Sequence, residues 1–92
     1  MNFEWDETKS ETNYRKHGVR FEEAQTVFLD PKSVEFFDEA HCDKEDRFIR
    51  IGTSGKLSVL LVIFCERNNS SIRIISTRRA TEKEKETYEK GI

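Results

Sequence analysis

Two adjacent arginines, Arg78 and Arg79, end a segment rich in β-branched residues. The segment 67–80 contains four arginines and no acidic residue. A guanidinium stays charged at neutral pH and donates paired hydrogen bonds in a geometry that fits phosphate. The spacing therefore indicates a phosphate-binding site at a strand end. The sequence leaves one alternative open, a solvated surface whose arginines pair with some of the 18 acidic residues.

These arginines are predicted to lie in one α+β domain, with an antiparallel sheet, two N-terminal helices on one face and a C-terminal helix. The predicted order is a short edge strand at 3–5, helices at 8–17 and 21–29, strands at 34–37, 47–53, 57–66 and 72–79, and a helix that starts at 81. Thr8 and Glu11, and again Thr81 and Glu84, have the spacing of a capping box, which marks a helix N-terminus.

Two hairpin turns determine which side chains share a face of the predicted sheet. A turn at 55–56 places Arg50 opposite Leu61. A turn at 68–71 places Arg78 opposite the same leucine. Because directly opposed residues share a face, Arg50 and Arg78 are predicted to flank the central strand, about 10 Å apart across two strand spacings.

Ser76 and Lys56 are predicted to complete this cationic patch, Ser76 on the same face and Lys56 in the turn at the same end of the sheet. Arg79 points to the opposite face by alternation along the strand. The same register pairs Arg73 with Glu66. The helices are assigned to the opposite, more apolar face, which carries Ile49, Ile51, Leu60, Val62, Phe64 and Ile75.

Few side chains could transfer a proton beside such a site. His17 ends the first helix, where the helix dipole favours a charged imidazole, so a structural role is an open alternative. Tyr88 lies one helical turn after Glu84 and could face the sheet, either as an acid–base group or as a packing residue. No His, Cys and Asp residues have the spacing of a metal-ligand set, so we expect no metal.

Composition narrows the class of protein further. The net charge of −2 argues against a general nucleic-acid-binding protein. No apolar run approaches the length of a membrane span, and nothing suggests a secretory signal. Cys42 lies in a charged segment, whereas Cys65 lies in an apolar strand, where a free buried thiol is expected. We therefore expect a reduced, cytoplasmic protein.

Four motifs together resemble the BrnT family of toxins from type II toxin–antitoxin systems. They are FEWD at 3–6, KHGV at 16–19, FEEA at 21–24 and RIISTRRA at 73–80. The resemblance extends over nearly the whole chain, from residue 3 to residue 91.

The resemblance implies a RelE-like fold and a metal-independent endoribonuclease that inhibits translation. It also implies a BrnA antitoxin with a ribbon-helix-helix part, in a two-plus-two assembly that binds operator DNA through the antitoxin and represses its own operon. The family's functional arginines match Arg67, Arg78 and Arg79, which are the predicted catalytic residues. The predicted RNA-binding residues are Arg50, Lys56, Ser76, Tyr88 and His17. The alternative is a catalytically inactive module that binds the antitoxin and acts only in operon control.

Overall fold

The computed structural model describes residues 2–42, 45–67 and 71–91. In chain order the elements are β1 (Asn2–Glu4), α1 (Glu7–His17), α2 (Phe21–Thr26), a 3₁₀ turn (Val27–Leu29), β2 (Val34–Cys42), β3 (Glu45–Thr53), β4 (Val59–Arg67), β5 (Ser71–Arg79) and α3 (Glu82–Lys90). The predicted second helix is therefore shorter than expected, because its last turn is a 3₁₀ turn.

One five-stranded sheet organises the molecule, with strand order β1-β5-β4-β3-β2. The pairs β2–β3, β3–β4 and β4–β5 are antiparallel. Strand β1 pairs parallel with β5, a feature that the sequence did not indicate. The α+β class, with two N-terminal helices and a C-terminal helix, is confirmed.

Each face of the sheet carries its own core. On the face that α1 and α2 cover, called the helix face here, the core consists of Val19, Phe21, Ala24, Val27, Leu60, Val62, Phe64, Ile72 and Ile74. On the α3 face the core is smaller and consists of Val34, Ile51, Leu61 and Ala80, with Tyr88 of α3 packed against it. No helix among the described residues is long and apolar enough to cross a membrane.

Capping side chains set the start of α1 and α3. The predicted capping box at Thr81 and Glu84 is present in α3. In α1, however, the N-cap is Asp6, whose carboxylate accepts hydrogen bonds from the N–H groups of Thr8, at 2.8 Å, and Lys9, at 3.2 Å. The prediction of a box that starts at Thr8 is wrong, because an aspartate two residues earlier already caps the helix.

The β3–β4 turn is longer than predicted, and this moves Arg50 to the other face. Leu57 adopts the left-handed conformation, with φ of 64°. Its N–H donates to the carbonyl oxygen of Ser54 at 2.9 Å, so the turn holds one residue more than the predicted pair. Arg50 therefore lies opposite Val62, not Leu61, because a slip of one residue exchanges the two faces of a strand.

The same slip reassigns two of the apolar side chains. Ile49 and Ile51 lie on the α3 face, contrary to the prediction that they face the first two helices. Leu60, Val62 and Phe64 do lie on the helix face, as predicted.

The β4–β5 pairing agrees with the prediction only at one end. Arg78 lies opposite Leu61, as expected. A bulge then shifts the register, so that Arg73 lies opposite Cys65 and not opposite Glu66. Of the turn predicted at 68–71, residues 68–70 lie outside the described residues, and Ser71 is the first residue of β5. Cys65 is disulfide-bonded, so the expectation of a free thiol at this position is wrong.

Candidate functional site

Arg78 projects from the α3 face and is held by Glu84 of α3. Its two terminal nitrogens donate to the two carboxylate oxygens at 2.8 and 2.9 Å. The hydrogen bonds from Arg78 lower the pKa of Glu84 to about 2, and those to Glu84 raise the pKa of Arg78. The pair thus neutralises the charge of this predicted catalytic residue in the free chain.

Arg50 lies on the helix face, also in contact with a carboxylate. It donates to the hydroxyl of Ser33 at 2.7 Å and pairs with Glu35 of the neighbouring strand. Its guanidinium lies over the ring of Phe28, 4.8 Å from the ring centroid. The prediction that Arg50 and Arg78 form one patch is wrong, because the sheet separates them.

Arg67 lies at the far end of β4 and bridges two carboxylates. It pairs with Glu45 at 2.7 Å and with Glu4 at 2.5 Å. The hydrogen bonds to Glu4 and Glu45 raise the pKa of Arg67. Six residues of strand separate it from the position opposite Arg78, a distance of about 20 Å along the sheet.

Arg79 differs from these three arginines because it has no carboxylate partner in the part of the chain that the structure describes. It lies opposite Leu60 and projects from the helix face, where it is exposed. One terminal nitrogen donates to the carbonyl oxygen of His17 at 3.3 Å. No carboxylate of residues 2–42, 45–67 and 71–91 lies within ion-pair distance of its guanidinium. Its positive charge is therefore available to a ligand.

Arg79 lines one groove of the surface, and two further grooves are lined by residues that it contacts. The hairpin groove, of about 420 Å³, is lined by Leu57, Ser58, Val59, Arg79, Ala80 and Lys85. The α1 groove, of about 250 Å³, is lined by Lys9, Thr12, Asn13, Lys16, His17, Ile75 and Ser76. The α2 groove, of about 400 Å³, is lined by Tyr14, Gly18, Arg20, Glu22, Glu23, Thr26, Gly55 and Lys56.

Arg79 lines one of these grooves and contacts one residue of each of the other two. It lines the hairpin groove, and its hydrogen bond reaches the backbone of His17 in the α1 groove. It also lies against Gly18 of the α2 groove, where a Cβ would come within 3.3 Å of its terminal nitrogen. Gly18 has φ of 73°, so glycine meets both the backbone and the space requirement.

Four of the predicted site residues line these three grooves. Arg79 lines the hairpin groove and contacts the backbone of His17, His17 and Ser76 line the α1 groove, and Lys56 lines the α2 groove. The other four, Arg50, Arg67, Arg78 and Tyr88, lie elsewhere, and each of them contacts a carboxylate.

Tyr88 is one of those four and is bound under α3. Its hydroxyl lies 2.6 Å from the carboxylate of Asp30 and 2.9 Å from the hydroxyl of Thr53. The hydrogen bond to Asp30 raises the pKa of Tyr88. Burial acts to raise the pKa of Asp30, but hydrogen bonds from Thr53, Tyr88 and Lys32 outweigh it and the pKa is lowered. These contacts attach α3 to β3 and leave Tyr88 away from Arg79.

Two lysines of the α1 groove were missed by sequence reasoning. Lys9 and Lys16 are seven residues apart, which is two helical turns, and so lie on one side of α1. The seven-residue spacing could have placed the two lysines on one side of the helix. Because α1 is nearly all polar, however, no apolar stripe in its sequence indicates which side faces the sheet. No carboxylate lines this groove.

Asn13 was also missed, and it attaches α1 to the free edge of β5. Its amide nitrogen donates to the carbonyl oxygens of Val19, at 2.8 Å, and Thr77, at 2.9 Å. Its amide oxygen accepts from the N–H of Thr77 at 3.3 Å. A side-chain amide thus replaces a neighbouring strand at this edge, and it holds the α1 groove beside Arg79.

Fold and site together define a small α+β protein with an available arginine that lines one groove and contacts residues of two others. Residues 5–84 match the family model described as the ribonuclease toxin, BrnT, of type II toxin–antitoxin systems. The chain therefore belongs to the BrnT toxin family, and an antitoxin partner is implied by that class.

A solved structure agrees with this assignment. The chain is similar to the crystal structure of the Brucella abortus ribonuclease toxin BrnT, with a TM-score of 0.64 and 27% sequence identity. The similarity covers 89% of this chain and 99% of the Brucella chain. A comparison with curated protein sequences found no significant match.

Proposed function

We propose that this toxin is a metal-independent endoribonuclease that inhibits translation by cleaving RNA. The ribonuclease description of the family supports the proposal. The observation that carries it is Arg79, an exposed residue that lines the hairpin groove, contacts His17 and Gly18 of the other two grooves and has no carboxylate partner among the described residues. A cleaving phosphate accumulates negative charge, and such a cation stabilises it.

In the proposed reaction the ribose 2′-hydroxyl attacks the adjacent phosphorus, the bond from phosphorus to the 5′-oxygen breaks, and a 2′,3′-cyclic phosphate forms. Arg79 stabilises the transition state but cannot carry the protons, because the pKa of arginine exceeds about 12. His17 is the candidate that takes the proton from the 2′-hydroxyl and returns it to the leaving 5′-oxygen, since this residue lines the α1 groove and its carbonyl oxygen accepts a hydrogen bond from Arg79.

The remaining predicted residues act around this centre. Lys56 and Ser76 line grooves that extend from Arg79 and are proposed to hold flanking phosphates. Arg78 and Arg67 are proposed to contribute only if RNA displaces their carboxylate partners. The same condition applies to Arg50, which would have to leave Glu35.

Induced expression followed by measurement of growth and of total RNA tests the activity. We expect growth arrest and loss of RNA, and cleavage of RNA by the purified protein in the presence of a chelator. Arg79→Ala should lower the cleavage rate about 10²- to 10³-fold, the usual effect of removing one electrostatic stabiliser. Because Arg79 is exposed, its removal should change stability by less than about 0.5 kcal/mol.

Arg15→Ala is the matched control, since Arg15 is an exposed arginine on α1 that pairs only with Glu11 and lines none of the three grooves. It should cleave RNA at the wild-type rate. Normal growth with intact RNA at high expression would contradict the proposal, and loss of cleavage with chelator would contradict metal independence.

We also propose that a BrnA-like antitoxin with a ribbon-helix-helix part neutralises this toxin in the cytoplasm. The toxin family supports an antitoxin partner, and the finer identity rests on the family resemblance. Two toxins and two antitoxins would form the complex, which would bind operator DNA through the antitoxin alone. Co-expression with the neighbouring open reading frame, followed by mass measurement of the complex and an operator-binding assay, tests both points.

One observation favours a second function. Three of the predicted arginines, Arg50, Arg67 and Arg78, are bound to carboxylates in the free chain. A toxin that had lost catalysis and kept antitoxin binding would show this arrangement. In that case wild type and Arg79→Ala would have the same effect on growth, while both still bound the antitoxin.

A further inference from the structure

Leu57 combines two features that a surface leucine rarely has. It is 85% exposed and has φ of 64°. In a hairpin loop of this kind the left-handed position is normally filled by glycine, because a Cβ is strained there. Among the described residues Leu57 is the only non-glycine residue with positive φ. An exposed leucine at a glycine position costs stability and buries little of its side chain in the free chain.

Leu57 lines the hairpin groove together with the available arginine, Arg79. Val59 and Ala80 form apolar walls of this groove, and Arg79 and Lys85 supply positive charge. Lys85 makes only a loose contact of 3.5 Å with Glu82. The groove therefore offers an apolar surface next to cations, a combination that matches a nucleotide, with its flat base and its charged phosphate.

We infer that Leu57 contacts the base of the nucleotide whose phosphate binds Arg79. The inference rests on the proposed ribonuclease function and specifies which residue of this chain meets the base. Binding of RNA would bury the side chain of Leu57 and so offset the strain at this position, a gain that glycine could not provide. The apolar side of the site is thus the β3–β4 turn, and the phosphate side is the end of β5.

Leu57→Gly tests this inference without the risk of unfolding. Glycine relieves the positive φ, so the melting temperature should stay unchanged or rise. Affinity for a short single-stranded RNA should fall about five- to tenfold, as expected for losing part of the burial of one leucine. Leu57→Gly and the wild type should bind an abasic oligonucleotide of equal length with the same affinity. Arg79→Ala, in contrast, should weaken binding of both.

Two further variants separate a base contact from a general effect. Leu57→Met restores an apolar side chain at the same position and should recover most of the lost affinity. Leu29→Ala removes a leucine that is 83% exposed and lies outside the hairpin groove, so it should bind RNA as the wild type does.

Each other outcome overturns the inference. If Leu57→Gly bound RNA as tightly as the wild type, Leu57 would not contact the base. If the same variant also bound the antitoxin more weakly, Leu57 would belong to the interface with the antitoxin. An equal loss on abasic and ordinary RNA would exclude a base contact. If the wild-type protein neither bound nor cleaved RNA, the proposed function would fail as well, whereas wild-type cleavage with an unaffected Leu57→Gly variant would refute the inference alone.

Discussion

At the scale of single residues, the neighbours of each arginine decide what it can do. Arg78 and Arg79 are adjacent, yet one is bound to Glu84 and the other faces open grooves. Alternation along the strand sends them to opposite faces, and only the α3 face presents a carboxylate at the right place. Residue type therefore identifies candidates for phosphate binding, and the local contacts select among them.

Asn13→Ala should be strongly destabilising for its size. The substitution would leave the buried N–H and carbonyl of Thr77 and the carbonyl of Val19 without the partner that Asn13 supplies. We expect a loss of about 2–3 kcal/mol in the free energy of unfolding, measured by urea denaturation. Thr12→Ala, at the neighbouring exposed position, should cost less than about 0.5 kcal/mol. If Asn13→Ala cost less than about 1 kcal/mol, as a surface substitution does, Asn13 would not be needed to attach α1 to the edge of β5.

At the scale of elements, close contact between β3 and the 3₁₀ turn requires glycine at position 52. A Cβ there would lie 2.7 Å from the Cβ of Ser33 and 2.9 Å from a methyl carbon of Val27. Gly52→Ala should therefore lower the free energy of unfolding by about 1–3 kcal/mol, measured by thermal denaturation.

Gly55→Ala is the matched control for this clash. A Cβ at Gly55 would meet only the side chain of Thr26, at 3.5 Å, which is ordinary contact. We expect a change within about 1 kcal/mol of wild type, in either direction. Equal effects of the two substitutions would show that the close approach of β3 to the 3₁₀ turn does not constrain the fold.

The attachment of α3 should depend on pH through Glu84. Arg78 lowers the pKa of Glu84 from 4.5 to about 2 in the folded chain, so folding favours the charged carboxylate. The resulting stability is fully present above pH 4.5 and is lost as the pH falls towards 2. The advantage of wild type over Glu84→Gln should therefore shrink in that window, as measured by denaturant unfolding at a series of pH values.

Glu82→Gln provides the comparison for this pH series. The Glu82 side chain is 93% exposed and makes only a loose contact with Lys85, so its substitution should leave the pH profile unchanged. A gap between wild type and Glu84→Gln that stayed constant from pH 5 to pH 2, about the range of the titration, would refute the role of the Arg78–Glu84 pair.

At the scale of the whole molecule, the distribution of charge matters more than its sum. The net charge is −2, yet the hairpin and α1 grooves around Arg79 are lined by cations and by no carboxylate. The acidic residues neutralise the other predicted arginines and so concentrate the available positive charge around one end of β5. A chain with a net negative charge can therefore still present a locally cationic surface.

The affinity for RNA should consequently fall as the salt concentration rises. The slope of log K against log salt concentration is proportional to the number of phosphates that the protein contacts. For single strands each phosphate contributes about −0.7 to the slope of log K against log salt concentration. Arg79→Ala should reduce the slope by about 0.7 in a fluorescence-anisotropy titration. Lys32→Ala removes an exposed lysine outside the three grooves and should keep the wild-type slope. A slope that Arg79→Ala did not alter would mean that no phosphate binds there.

Several features of this protein were predictable from sequence because they depend on local chemistry. The family motifs, the α+β class and the capping box of α3 belong to this group. Arg78 does lie opposite Leu61 as predicted, but this agreement depends on the bulge in β5, because the register nearer the turn differs by one residue from the prediction.

The composition of the site was decided only by the tertiary structure. One additional turn residue, Leu57, moved Arg50 to the other face, and a bulge in β5 moved Arg73 away from its predicted partner. Because side chains alternate along a strand, a shift of one residue exchanges every face assignment beyond it. Which arginines meet a carboxylate depends on those shifts and on the placement of α1 and α3, so only the folded chain distinguishes Arg79 as available.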